Sequence, residues 1–411
     1  MVPKGWSEHT LDDLALVERG KFSVRPRNDP RYYGGDMPFV QTGDVTSSGT
    51  YLKSFSQTLN ENGVGVSKVF PKNTILITIA ANIGDTAITT FEVACPDSVV
   101  AIQPYKHVAD VYWLKKYLET RKTDLDAQST QNAQKNINLQ VLKPLLILTP
   151  PYAEQKKIAK ILSTWDNAIS VTEKLLTNSQ QQKKALMQQL LTGKKRLLDE
   201  NGTRFSETWK LYALSELFQR VTTKNNGKSN NVVTISGQHG LIKQEDFFKK
   251  TVASDTLDGY FLLKKGQFAY NKSYSNGYPM GAIKRLNRYP EGVVTTLYIC
   301  FELTTPKKSC GDYWEHYFES GLLNNSLSQI AHEGGRAHGL LNVKPSDFFS
   351  LKVAVPGFEE QQKIASVLSA ADTEISTLEK KLACLKDEKK ALMQQLLTGK
   401  RRVKVDEAVA V

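Results

Sequence analysis

The stretch KKALMQQLLTGK at Lys183–Lys194 recurs letter for letter at Lys389–Lys400, 206 positions later. The same offset holds upstream without a gap. Glu154, Gln155, Lys157, Ile158, Ala159, Leu162, Ser163, Asp166 and Ile169 match Glu360, Gln361, Lys363, Ile364, Ala365, Leu368, Ser369, Asp372 and Ile375, and Pro150 matches Pro356. A second echo opens each half: Gly5-Trp6 with Leu11 and Leu14, then Thr208-Trp209 with Leu214 and Leu217. Between these anchors no constant offset aligns the halves. The chain is therefore an internal duplication whose ends are alike and whose middles differ.

The repeated segments read as helices. Glu154–Leu191 and Glu359–Leu397 contain neither Gly nor Pro. A 4-3 apolar spacing in the second copy selects Ile364, Leu368, Ala371, Ile375, Leu378, Leu382, Leu385, Lys389, Leu392 and Leu396. In the first copy it selects Ile158, Leu162, Trp165, Ile169, Thr172, Leu176, Ser179, Lys183, Leu186 and Leu190. This is the seam of a coiled coil. Each helix closes on Thr-Gly, at 192–193 and 398–399, with Gly in the C-terminal cap. A helix of this length, at ~1.5 Å per residue, needs a partner for its apolar stripe. The other copy supplies one, and a pseudo-two-fold axis makes the pair antiparallel.

The middles read as mixed α/β. Strands are expected at Thr74–Thr78, Val99–Ile102, Asn231–Ile235, Phe261–Leu263, Val293–Phe301 and Leu351–Val355. Amphipathic helices are expected at Asp110–Arg121 and Tyr313–Leu323. The fold class is α+β: two mixed domains, residues 1–150 and 198–355, joined by antiparallel coiled-coil helices at 151–197 and 356–402, with a tail at 403–411.

Composition narrows the function. Lys and Arg number 54 against 42 Asp and Glu, a net charge of +12, which favours a polyanionic partner. Cys95, Cys300, Cys310 and Cys384 lack CxxC spacing, so free thiols in a reducing cytoplasm are expected. No apolar stretch is long enough for a signal peptide or a membrane span.

Motifs for catalysis are missing. Thr149-Pro150-Pro151-Tyr152 is similar to the Asp/Asn-Pro-Pro-aromatic signature of amino-methyltransferases, but Thr replaces the essential Asp or Asn. These prolines read instead as a strand stop and helix start. Gly63-Val64-Gly65 lacks a strand-turn-helix context. The histidines of His332–His338 stand six apart and are interrupted by two glycines, which reads as a polar loop and not a zinc helix. Neither a cofactor nor a metal is expected.

Three clusters suit nucleic acid, because Arg and amide side chains make paired hydrogen bonds to guanine and adenine edges. One is Lys21, Arg25, Arg27 and Arg31 beside Tyr32 and Tyr33. Another is Gln128, Gln131, Asn132, Gln134 and Lys135, whose counterpart by the 206 offset carries Arg336 and His338. The third holds Asn271, Lys272 and Tyr274.

The plan resembles the DNA-specificity subunit of Type I restriction-modification systems over essentially the full chain. The two P-x-x-x-E-Q-x-K-I-A segments and the two K-A-L-M-Q-Q-L-L-T-G-K-x-R segments carry the resemblance. It implies that each variable domain reads one half of a split, asymmetric site in double-stranded DNA. It implies that the helices pair through the seam residues named above, set the spacing, and dock two methyltransferase subunits and the restriction/translocase subunits. The chemistry then belongs to those partners. A coiled-coil adaptor that never reads DNA is the competing expectation.

Overall fold

The computed structural model describes residues 2–129, 136–248, 256–305, 308–333 and 341–405. The chain divides into two compact units, Met1–Glu173 with Lys380–Val411, and Lys174–Glu379. The boundaries fall within the two long helices, Tyr152–Leu190 and Phe358–Leu397. Each unit thus holds a mixed domain and a stretch of both helices.

In the first unit five strands form a sheet: β1 (Ala15–Arg19), β2 (Tyr51–Leu52), β3 (Ile75–Thr78), β4 (Thr86–Thr89) and β5 (Val99–Pro104), in the order β1-β5-β3-β4-β2. The runs ILIT and TAIT are buried at every residue, since both faces of the sheet are covered. Strand alternation divides them between two cores. Ile75, Ile77, Ile88, Val100 and Ile102 join Trp113, Leu114 and Leu118 of helix α1 (Val111–Thr120). Leu76, Ala87, Val99 and Ala101 face the opposite way, onto Val40, Val45, Leu52 and Phe70. A short helix, α2 (Lys122–Ser129), follows α1.

The second unit repeats the scheme with different residues. Its strands β6 (Phe218–Arg220), β7 (Phe268–Asn271), β8 (Ala282–Arg285) and β9 (Ile299–Leu303) take the order β6-β9-β7-β8. Phe268, Tyr270, Ile283, Ile299 and Phe301 pack on Tyr313, Trp314 and Phe318 of helix α3 (Gly311–Glu319). Ala269, Ala282 and Cys300 turn to the other core.

The expected single strand Val293–Phe301 is two strands. Glu291–Val294 pairs with Phe261–Lys264, while β9 pairs with β6 and β7. The apolar run concealed a turn in which the Thr295 hydroxyl accepts from Leu297 N at 3.3 Å, Tyr298 N donates to Thr295 O at 3.2 Å, and Leu297 is exposed. A side-chain hydroxyl satisfying nearby backbone is a common way to stop a strand. The helix expected over Tyr313–Leu323 ends at Glu319, two residues before Gly321 at φ +75°.

Within each unit the two helices run antiparallel. Asp166 meets Lys389 and Glu173 meets Lys386 in the first; Ser179 meets Glu374 and Lys183 meets Asp372 in the second. Every seam position is buried or partly buried in both copies. The lysines that break the apolar pattern, Lys183 and Lys389, are held by the paired aspartates. Among the described residues no helix is long and apolar enough to cross a membrane, and no group of three metal-ligating side chains occurs.

Candidate nucleic-acid interface and helix platform

The repeated motif letters meet across the copies. In the first unit Glu154 is buried at the start of one helix and receives Arg402 from beyond the end of the other, Nε at 2.8 Å and Nη2 at 2.8 Å. Its Oε2 also accepts the Trp6 indole N–H at 3.0 Å. In the second unit Glu360 receives Arg196 at 2.6 and 2.7 Å and the Trp209 indole at 3.1 Å. Both guanidiniums lie over the indole they share a carboxylate with, 5.6 Å from the Trp6 ring and 5.8 Å from the Trp209 ring. The glycines after the helices take φ +70° at Gly193 and +69° at Gly399. A Cβ at Gly193 would stand 3.3 Å from Trp209, and one at Gly399 would stand 2.4 Å from Pro3 and 3.4 Å from Trp6. Conformation and close approach both demand glycine there.

The glutamine of each E-Q pair ties the domain to its helix. Gln155 Nε2 donates to Pro150 O and Val108 O, both at 3.0 Å, and its Oε1 accepts from Asp110 N at 2.8 Å, at the cap of α1. Gln361 does the same with Pro356 O and with Cys310 N, each at 3.0 Å, at the cap of α3. Six residues along each domain helix from that cap, a basic side chain faces the repeated aspartate of the long helix. Lys116 is 2.9 Å from Asp166, which also accepts from Thr50 at 2.7 Å and Tyr112 at 2.5 Å and pairs with Lys389. Burial raises the Asp166 pKa, but Lys116, Lys389 and Tyr112 outweigh it and hold the carboxyl well below the usual carboxylate range.

The second unit places His316 there instead. Its Nε2 is 3.0 Å from Ser369 Oγ and its Nδ1 3.7 Å from Asp372, which also holds Lys183. Burial is the main force lowering the His316 pKa; Asp372, Asp312 and Glu319 oppose it and Lys183 adds to it. A histidine kept neutral in the fold adds stability above its unfolded pKa, and that stability is lost as pH falls toward its folded pKa. We therefore expect hydrogen-exchange protection of α3 to drop below about pH 6.5, while α1, anchored by Lys116, holds. The substitution His316→Gln should flatten the α3 response; an equal drop in α1 and α3 would refute the assignment. These buried anchors were not singled out in the sequence, although Glu154, Gln155 and Asp166 stood among its exact repeats.

The candidate base-contact residues fall into different surroundings. Lys21 is exposed. Arg25 Nη1 donates to Val24 O at 2.7 Å and Phe22 O at 3.3 Å. Arg27 pairs with Asp97 at 2.7 Å, and Arg31 grips Asp29 through Nη2 at 2.6 Å, holding that carboxyl below its ordinary range. The Arg27–Asp97 pair is exposed at both ends and contributes about 0–1 kcal/mol, so a phosphate can replace that carboxylate at little cost, whereas Asp29 is buried. Behind this loop lies a small core of Phe22, Val24, Phe39, Leu59 and Ala94.

Gln128 is exposed on α2. Gln131, Asn132, Gln134, Lys135, Arg336 and His338 lie outside the described residues. Asn271 ends β7, and its Oδ1 accepts from Ser273 N at 3.1 Å. Lys272 is half-buried and donates to Val343 O at 3.4 Å; burial, then Arg220, lowers its pKa. Tyr274 is exposed.

Two of the three clusters have a fixed relation to the sheet. Leu341 N donates to Lys272 O at 2.9 Å, which brings the strand after residues 334–340 to the end of β7. In the first unit Ile137 N donates to Ile79 O at 3.0 Å, and Ala80 bridges Asn136, so the segment after residues 130–135 returns to the end of β3.

Comparison with known proteins identifies this architecture. Residues 3–178 match the family model described as the Type I restriction modification DNA specificity domain. The Type I restriction enzyme MjaVIII specificity subunit of Methanocaldococcus jannaschii is 24% identical over 432 residues, covering 98% of this chain and 94% of its own. The putative MjaX specificity subunit of the same organism is 27% identical over 320 residues, covering 75% of this chain and 72% of its own. The crystal structure of the S subunit of a Type I system from M. genitalium superposes with a TM-score of 0.57 at 15% identity, covering 95% of this chain and 96% of that one. Residues 3–178 thus match a DNA specificity domain, and the chain over nearly its full length is similar to specificity subunits of Type I restriction-modification systems. Its function is DNA specificity within such a system.

Proposed function

We propose that the domains at residues 1–150 and 198–355 each read one half of a split, asymmetric site in double-stranded DNA. In this reading the segments at 151–197 and 356–402 dock two methyltransferase subunits and the restriction/translocase subunits, residues 403–411 form a tail, and the chain works in the cytoplasm. The observation that carries it is the contrast between the parts of each unit. The Glu-Trp-Arg and Asp-Lys anchors recur with the copies exchanging places, while the loops beyond the sheets share neither length nor residues. Like surfaces suit like partners; unlike surfaces suit an asymmetric sequence.

Basic residues such as Lys21, Arg25, Arg27 and Arg31 supply salt-dependent backbone affinity, and Asn271, Lys272, Tyr274 and Gln128 supply choice of bases. A groove of about 740 Å³ lined by Lys157, Ile161, Trp165, Leu392, Gln395 and Val403 lies beside the helix pair of the first unit. Together with exposed Val171 on the helix itself, it suits a protein partner. Transfer chemistry rests with the docked subunits, and this chain turns over no substrate.

Methylome sequencing of a host expressing the complete system tests the reading. A single methylated split motif, lost when this chain is deleted, is expected. Methylation without a split motif would favour an adaptor that does not read DNA, and turnover by the purified chain alone would make it an enzyme.

A further inference from the structure

The turn between β3 and β4, residues 79–85, occupies the place in the first unit that the Asn271–Tyr278 cluster occupies in the second. In each sheet it follows the same strand in the order, and in each the segment preceding the repeated helix returns to it, through Ile137 N to Ile79 O and Leu341 N to Lys272 O. Its tip is Ala81-Asn82. Ala81 takes φ +63°, a conformation an alanine side chain does nothing to favour. The turn is pinned on every side. Thr78 O accepts from Gly84 N at 2.9 Å, and Thr78 Oγ1 donates to Asn82 O and accepts from Asp85 N at 3.1 Å. Ile83 is buried in the main core, Gly84 lies against Lys122, and Lys122 pairs with Asp85.

Asn82 is therefore an exposed amide on a rigid tip. Its Nδ2 donates one proton to Thr46 Oγ1 at 3.2 Å, which fixes the plane of the amide. A second N–H remains, and among the described residues no hydrogen bond to Oδ1 occurs. A free carbonyl beside a free N–H is the pair that matches the N6–H and N7 of adenine in the major groove. We propose that Asn82 reads an adenine in the half-site served by the first unit, with Thr46 as its positioning residue. This deepens the proposed function and rests on its assignment of one half-site to each domain.

The test uses the complete methyltransferase assembled on this chain, assayed against a library of half-site variants. Asn82→Ala is expected to lower discrimination at one adenine position about ten- to hundredfold, leaving the other half-site and the spacer unchanged. Asn82→Asp keeps the size and the acceptor but loses the donor, and is expected to move the preference at that position from adenine toward cytosine. Unchanged preference in both variants overturns the inference. If Asn82→Ala abolishes methylation, Asn82→Asp decides: cytosine preference supports base reading, and wild-type preference overturns it. Absence of any split motif with the wild-type chain counts against the underlying reading instead, so the two failures are distinguishable.

Discussion

Substituting Glu360 by alanine will destabilise the second unit by about 3 kcal/mol, the cost of leaving a half-buried guanidinium and an indole N–H without their acceptor. The carboxylate is buried and serves Arg196 through both oxygens and Trp209 through one. Among the described residues Arg196 then keeps one hydrogen bond, to Glu207 O at 2.9 Å, beside its place over the Trp209 ring. Glu154→Ala should cost less in the first unit, because the Arg402 side chain is 41% exposed against 19% for Arg196 and reaches water more easily. Glu360→Gln keeps the shape and should recover part of the loss. Local hydrogen exchange gives the two units separately. A double-mutant cycle with Arg196→Ala should return a coupling of roughly 1–3 kcal/mol. Additive losses would mean that the pair is incidental.

Replacing residues 21–141 with the matching segment of another specificity subunit is expected to change one half-site completely and leave the other half unaltered, as read by methylome sequencing. The segment carries β2 to β5, α1 and the Asn82 turn but stops short of Gln155 and Asp166. An incoming domain must therefore still offer a backbone N–H to Gln155 and a partner to Asp166, as Asp110 and Lys116 do here. A domain that meets both conditions should dock at full stability. A changed second half-site would show that the two readings are not separable.

The long helices were legible because periodicity and repetition coincide, and every position on the 4-3 spacing is buried or partly buried. The central strands were legible because they are continuous apolar runs. Legibility failed where a side chain contradicts its surroundings. The Thr295 hydroxyl broke a run that read as one strand. Lys115 and Lys116 of α1 are both buried, against the usual habit of lysine. Lys116 is charge-matched by Asp166 fifty residues away, a pairing no local pattern announces. Burial lowers the Lys115 pKa to about 8 in spite of Glu119. The base-contact clusters were chosen by composition, so the short Ala81-Asn82 turn, poor in charge, escaped notice until the sheet order placed it.

The division of the chain has a consequence for the order of events during synthesis. The second unit is one continuous stretch, Lys174–Glu379, whereas the first is assembled from Met1–Glu173 and Lys380–Val411. Arg402, the ion-pair partner of Glu154, is made after the whole of the second unit. At ~5–20 residues per second, Glu154 waits on the order of tens of seconds for it. The first unit is therefore completed only after the second, and until then its anchoring carboxylate has the Trp6 indole but no guanidinium.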